Sequence, residues 1–179
     1  MTIRDADPER DAAACAGIYA PVVSETAISF EESPPDTEEM ARRIRAAHVW
    51  LVAEDGGEVV GYAYAAQHRA RPAYRWAVDV SAYVDPRHHR HGIGRELYAA
   101  TFERLRERGY RAACAGVSLP NEGSLDFHRA MGFREIGTYR RIGWKLGRWR
   151  DVTWLQLDLA PEAPDAPPEP IEGSPSPDR

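Results

Sequence analysis

The sequence predicts a mixed α/β fold in a single domain, and three observations carry that prediction. Short apolar, β-branched stretches alternate with helix-patterned ones along most of the chain. Asp55-Gly56-Gly57 separates two strand-like runs, 49–53 and 58–66, and reads as a hairpin turn, so part of the sheet is antiparallel. A third strand-like run, 78–84, leads into Gly92-Ile93-Gly94 and then a helical stripe, which makes a strand–turn–helix unit.

In chain order, residues 2–4 suit a short first strand. Asp7 caps a helix whose first position is Pro8. Asp36 with Glu39 signals a second helix, to about residue 47. After Gly92 a helix runs to about residue 108, where Gly109 stops it, and Leu97, Tyr98, Phe102 and Leu105 form its apolar stripe. Residues 112–117 form a buried strand, Asn121 caps a short helix ending at Gly132, and strands 133–142 and 152–159 complete the sheet. The folded domain is expected over 1–160. Residues 161–179, rich in Pro and Glu, cannot bury enough apolar surface to offset their ordering entropy and are expected to be a disordered tail.

The chain has 179 residues, 43% hydrophobic and 28% charged, with a formal net charge of −5. That balance suits a cytoplasmic protein and argues against nucleic acid as the main partner. No apolar run approaches the roughly 18 residues of a membrane span, and the N-terminus has no signal-peptide core. Cys15 and Cys114 form neither a disulfide framework nor a metal spacing, and read as reduced thiols.

The segment around Gly92 and Gly94 carries the chemistry. Glycines let the backbone approach a phosphate, and a starting helix aims unpaired N–H groups and its positive dipole end at the anion. Arg87, Arg90 and Arg95, with His88, His89 and His91, add positive charge. A dinucleotide fingerprint needs a third glycine three residues after Gly94, where Leu97 stands, and the Gly-Lys-Ser/Thr phosphate loop is absent. The three histidines lack the further ligands of a metal site, so no metal is expected.

This segment, Val80 through Leu97, resembles motif A of the GNAT N-acetyltransferases, with His89 in the usual Gln/Arg position. Asn121-Glu-Gly-Ser-Leu-Asp-Phe-His128 with Gly132-Phe133 resembles the second motif of the same superfamily. Residues 26–31, 73–84 and 143–152 are similar to the phosphinothricin acetyltransferases and related amino-acid N-acyltransferases. The resemblance covers roughly residues 2–159. It implies the GNAT fold, acetyl-CoA as co-substrate, a homodimer, and transfer of an acetyl group to the free amine of a small amino acid. The substrates it implies are of the phosphinothricin, methionine sulfoximine or methionine sulfone type. The amine attacks the thioester directly in a ternary complex, since neither cysteine lies in a nucleophile motif.

By the same resemblance, the backbone of Arg90, His91, Gly92, Ile93, Gly94 and Arg95 binds the CoA pyrophosphate. Ala82, Tyr83 and Val84 offer strand backbone to the pantetheine arm, and the Val84 amide polarises the thioester carbonyl. Asn121, Ser124 and His128 border the cofactor. Asp79 stands where the family carries Glu. It is expected to act as a base, directly or through a water, or only to hold the ammonium; the alternative is a structural pairing with a neighbouring Arg. His128 stands where many members place Tyr beside the sulfur, and either protonates the thiolate or relays the amine proton. Arg69, Arg71 and Tyr74 are expected to contact the substrate, with an Arg fork on its carboxylate, while Phe30, Ser81 and Tyr83 wall the pocket. Trp144, Trp149 and Trp154 read as core or dimer surface. Two other readings remain: a GNAT enzyme for a peptide N-terminus or an aminoglycoside, and a CoA-binding regulatory module without turnover.

Overall fold

The computed structural model describes residues 1–161, so the tail expectation lies, but for Pro161, outside the described residues. The elements are β1 (Thr2–Asp5), α1 (Pro8–Glu25), α2 (Thr37–Ala46), β2 (Val49–Asp55), β3 (Glu58–Gln67), β4 (Ala77–Val84), α3 (Ile93–Glu107), β5 (Ala112–Ser118), α4 (Glu122–Ala130), β6 (Arg134–Lys145) and β7 (Arg148–Asp158). They build one seven-stranded sheet in the order β1-β2-β3-β4-β5-β7-β6. Every neighbouring pair is antiparallel except β4 and β5.

Helices cover both faces, which explains why β2 reads as the unbroken run Val-Trp-Leu-Val-Ala. Trp50 and Val52 pack toward α1 and α2 with Cys15, Tyr19 and Met40. Val49, Leu51 and Ala53 point the other way, toward Leu97, Tyr98, Phe102 and Leu105 of α3. Leu97 and Leu105 are fully buried; truncating either to Ala costs about 2–5 kcal/mol. The Asp7 carboxylate accepts the Glu9 and Arg10 amides at 2.9 and 3.2 Å, the cap its sequence position predicts. Gly56 and Gly57 take φ of 58° and 89°, the left-handed pair of a two-residue hairpin.

The last hairpin is longer than its sequence pattern indicates. β6 continues to Lys145 and β7 begins at Arg148, around Leu146 and Gly147 at φ 51° and 73°. A register shift between Tyr139 and Gly143 breaks the alternation, with Arg141 at φ 50°, and this hides the strand in the sequence.

Candidate active site

The sheet opens where the motifs converge. β4 and β5 pair only at Ala77–Ala112, Val78–Ala113 and Asp79–Cys114. Beyond that point β5 stays in register with β7, and β4 with β3, so the two parallel strands part. Asp85 donates its amide to the Val60 carbonyl at 2.9 Å. In an antiparallel ladder the next pair inward, Val84–Gly61, exchanges no bonds, so the Val84 N–H points away from β3 and toward the opening.

At the mouth of this opening sits the basic turn. Pro86–His88 forms a single 3-10 turn, and His89 donates its Nε2–H to the Val84 carbonyl at 2.9 Å, which ties the loop to the end of β4. Arg90 and Gly92 take φ of 67° and 81°. The first intrahelical bonds of α3 run from Arg95 and Glu96 back to the Gly92 carbonyl, at 3.0 and 3.1 Å. The amides just before them are the unpaired donors an anion needs. Arg87 is engaged by Asp85 at 2.7 Å, leaving Arg90 and Arg95 as the nearby charges.

Between β4, β5, β7 and the 26–31 loop lies a cavity of about 450 Å³. Phe30, Asp79 and Ser81 line it, together with Tyr64, Gly116, Ser118 and Trp154. The Ser118 hydroxyl is buried there without a hydrogen-bond partner, free to meet a polar group of a ligand. Trp154, read from the sequence as core or dimer surface, is a cavity wall. Gly116 opposite makes room for its indole, since a Cβ there would lie 3.3 Å from the ring.

Asp79 has a partner that the sequence reading missed. His68, just past β3, places Nδ1 2.6 Å from Asp79 Oδ1, so the carboxylate pairs with an imidazole rather than an arginine. Burial pushes the Asp79 carboxyl above its ordinary value, against the pull of His68 and Arg69. Cys114, its register partner, has its thiol pushed up to about 11 by burial and then by Asp79, so it is protonated and a poor nucleophile.

Phe30 is held by a polar network behind it. Arg43 grips the Glu31 carboxylate at 2.7 and 3.0 Å, Tyr19 donates to it at 2.9 Å, and Lys145 donates to the Glu31 carbonyl. The Phe30 ring lies directly on Gly143 of β6, so close that a Cβ at Gly143 would overlap it.

The remaining residues fall elsewhere. Arg69 stacks over Trp154 at 5.8 Å, at the cavity rim. Tyr74 lies in the exposed 72–74 turn, 6.0 Å from the His68 ring, and Arg71 immediately precedes it. The Tyr83 side chain shares the face of β4 that carries Asp79 and Ser81 but lies further along the strand, 4.9 Å from Tyr19, where it lines a neighbouring cavity of about 230 Å³. His128 is buried. Its Nδ1 lies 2.7 Å from the Ser124 carbonyl, which can only accept, so Nδ1 carries the proton and Nε2 accepts the Tyr98 hydroxyl at 3.2 Å. Burial lowers its pKa, so the ring is neutral. Asn121 caps α4, accepting the Ser124 amide at 3.2 Å.

Tyr64 and Ser118 gave no motif signal. The cues available were a polar group at the end of an apolar strand, for Ser118 after 112–117, and a lone histidine after an apolar strand, for His68.

Comparison with known proteins agrees with this geometry. Residues 4–154 match the family model for an acetyltransferase (GNAT) domain. The phosphinothricin N-acetyltransferase of Streptomyces viridochromogenes is 35% identical over 164 residues, 90% of each chain. The L-methionine sulfoximine/L-methionine sulfone acetyltransferase of Salmonella typhimurium is 36% identical over 172 residues, 93% of this chain and 99% of that one. The crystal structure of a GNAT superfamily phosphinothricin acetyltransferase from Sinorhizobium meliloti, in complex with AcCoA, superposes with a TM-score of 0.89 at 34% identity, covering 97% of this chain and 96% of that one. The parted strands, the glycine turn and these matches agree: the chain belongs to the GNAT acetyltransferase family and is an acetyl-CoA-dependent N-acetyltransferase.

Proposed function

We propose that the acceptor is the α-amine of a small amino acid of the phosphinothricin, methionine sulfoximine or methionine sulfone type. The observation that carries this reading is the half-buried Asp79 carboxylate, set where β4 and β5 part and facing a cavity of about 450 Å³. That volume suits a single small molecule, and the relatives' names supply the class. In this reading the amides of residues 90–95 take the pyrophosphate. Backbone of Ala82, Tyr83 and Val84 meets the pantetheine, and the Val84 N–H polarises the thioester. Asn121, Ser124 and His128 flank the cofactor, with the Tyr98 hydroxyl and His128 as a proton pair behind the sulfur. Asp79 holds the ammonium and accepts its proton, while Arg69, Arg71 and Tyr74 receive the carboxylate. The protonated Cys114 favours direct attack over an acyl-enzyme.

The functional unit is a homodimer through the β6–β7 hairpin, which exposes Ile136, Tyr139, Ile142, Trp144, Leu146 and Trp149. No helix of the described residues is long and apolar enough to cross a membrane. Free Cys15 and Cys114 suit a reducing cytoplasm. The test is loss of thioester absorbance with acetyl-CoA and a panel of amines. Turnover confined to peptide N-termini or aminoglycosides overturns the substrate class.

A further inference from the structure

Three ligand-type side chains converge behind the cavity. His68, Asp79 and Cys114 each offer one donor atom, and these atoms all lie within 4.8 Å of one another. They come from three neighbouring strands: His68 follows β3, Asp79 is on β4, and Cys114 is its register partner on β5. The sheet therefore fixes their spacing. The His68 ring is further held edge-on between Trp154 and Tyr74, each 6.0 Å away.

We propose that this cluster binds a zinc-class divalent cation, and that the bound ion switches the acetyl transfer off. One imidazole nitrogen, one carboxylate oxygen and one thiolate sulfur form a mixed donor set of the kind zinc takes, with the fourth position open to water from the cavity. Tetrahedral ligands at ~2.0–2.3 Å from an ion sit about 3.3–3.8 Å apart, so the donors need only small movements. The widest separation must shorten and the 2.6 Å His68–Asp79 contact must open. Binding releases the Cys114 thiol proton and any proton shared by His68 and Asp79. The ion then occupies the Asp79 lone pair that would take the proton of the ammonium. Arg69, beside both Asp79 and Cys114, opposes the cation and sets the affinity below that of an all-acidic site. Inhibition rests on the role proposed above for Asp79; binding of the ion does not.

The experiment titrates the chelator-treated full chain with Zn2+ against a chromophoric chelator, and separately with Co2+. Acetyl transfer is followed by loss of thioester absorbance, because the CoA thiol itself binds zinc. One equivalent of Zn2+ is expected, with a thiolate-to-cobalt charge-transfer band and loss of turnover as the site fills. Cys114→Ala should keep its basal turnover, lose the band and resist zinc, with affinity falling by more than the roughly 10- to 100-fold that removal of an outer-shell partner costs. Absence of the band in the unsubstituted protein, or stoichiometric zinc binding that survives Cys114→Ala, overturns the site. Binding with the band but undiminished turnover upholds the site and overturns the role of Asp79 in proton transfer.

Discussion

His68 Nδ1 and Asp79 Oδ1 meet at 2.6 Å across the ends of β3 and β4, which makes the one acidic group lining the cavity among the described residues part of an imidazole–carboxylate pair. The pair joins the ends of two strands, and the proposed function gives it a second role, moving a proton; substitution separates the two.

Asp79→Asn is expected to lower turnover on the order of 100- to 10,000-fold at neutral pH and to recover as pH rises and free amine becomes abundant. Its folding contribution has the opposite sign from that of an ordinary salt-bridged acid. Burial raises the carboxyl above its ordinary 3.8, so whatever stability it adds is full below that value and is lost as pH rises through the raised one. At neutral pH the melting temperature of Asp79→Asn should therefore equal or exceed that of the parent. A drop of several degrees with no recovery at high pH would make the pair structural only.

Gly143→Ala is expected to raise the KM for the amine while leaving that for acetyl-CoA unchanged. The added Cβ occupies the space of the Phe30 ring. Phe30 is 38% exposed, so it swings away and stability falls by no more than the about 1–3 kcal/mol of overpacking. Phe30→Ala should raise the same KM, and the double variant should be no worse than Phe30→Ala alone. Additive losses would show that Phe30 does not mediate the effect.

These contacts show where sequence reading reaches and where it stops. The caps at Asp7 and Asp36, the Gly56-Gly57 turn and the stripe on α3 are local chemistry, each decided within a few residues. The glycine turn ahead of α3 was legible because its glycines and the following helix are contiguous. His68, Ser118 and Trp154 were not, because their roles arise from strands brought side by side by β4–β5 and β5–β7 pairing. Tyr83 shares a face with Asp79 and Ser81 by strand alternation, yet its ring packs against Tyr19 of α1 and lines the neighbouring cavity, a contact that only the packing of α1 on the sheet decides.

Acid should weaken the fold through two imidazoles, the buried His128 and the half-buried His48. Burial lowers the pKa of His128 below its ordinary 6.5, and burial and then Arg108 lower that of His48. The unfolded chain then takes up protons that the native state refuses. Stability is full above about pH 6.5 and falls as pH drops below it, by up to about 1.4 kcal/mol per pH unit per histidine. His128→Gln should flatten the melting-temperature profile between pH 7 and 5. An unchanged slope would show that His128 does not carry the acid sensitivity.

The β6–β7 hairpin gives the last test. β6 is an edge strand, and Trp144 and Trp149 pair across the hairpin with ring centroids 5.5 Å apart. Both stand in the open, 60% and 56% exposed, beside Ile142 and Leu146 at 55% and 54%. An apolar edge of this kind pairs with other chains unless it is covered, and in the proposed homodimer a second copy covers it with its own hairpin. The same strand reaches the cavity, because Tyr139 and Ile142 line it. Trp144→Glu with Trp149→Glu should therefore yield a monomer by sedimentation. Its melting temperature should be independent of concentration, whereas that of the parent is expected to rise with it. The amine KM should rise as Tyr139 and Ile142 lose their support, while the affinity for acetyl-CoA is retained. A parent protein that is monomeric at assay concentrations would remove the hairpin from the proposed unit. A monomeric variant with unaltered amine KM would keep the dimer and detach it from the cavity.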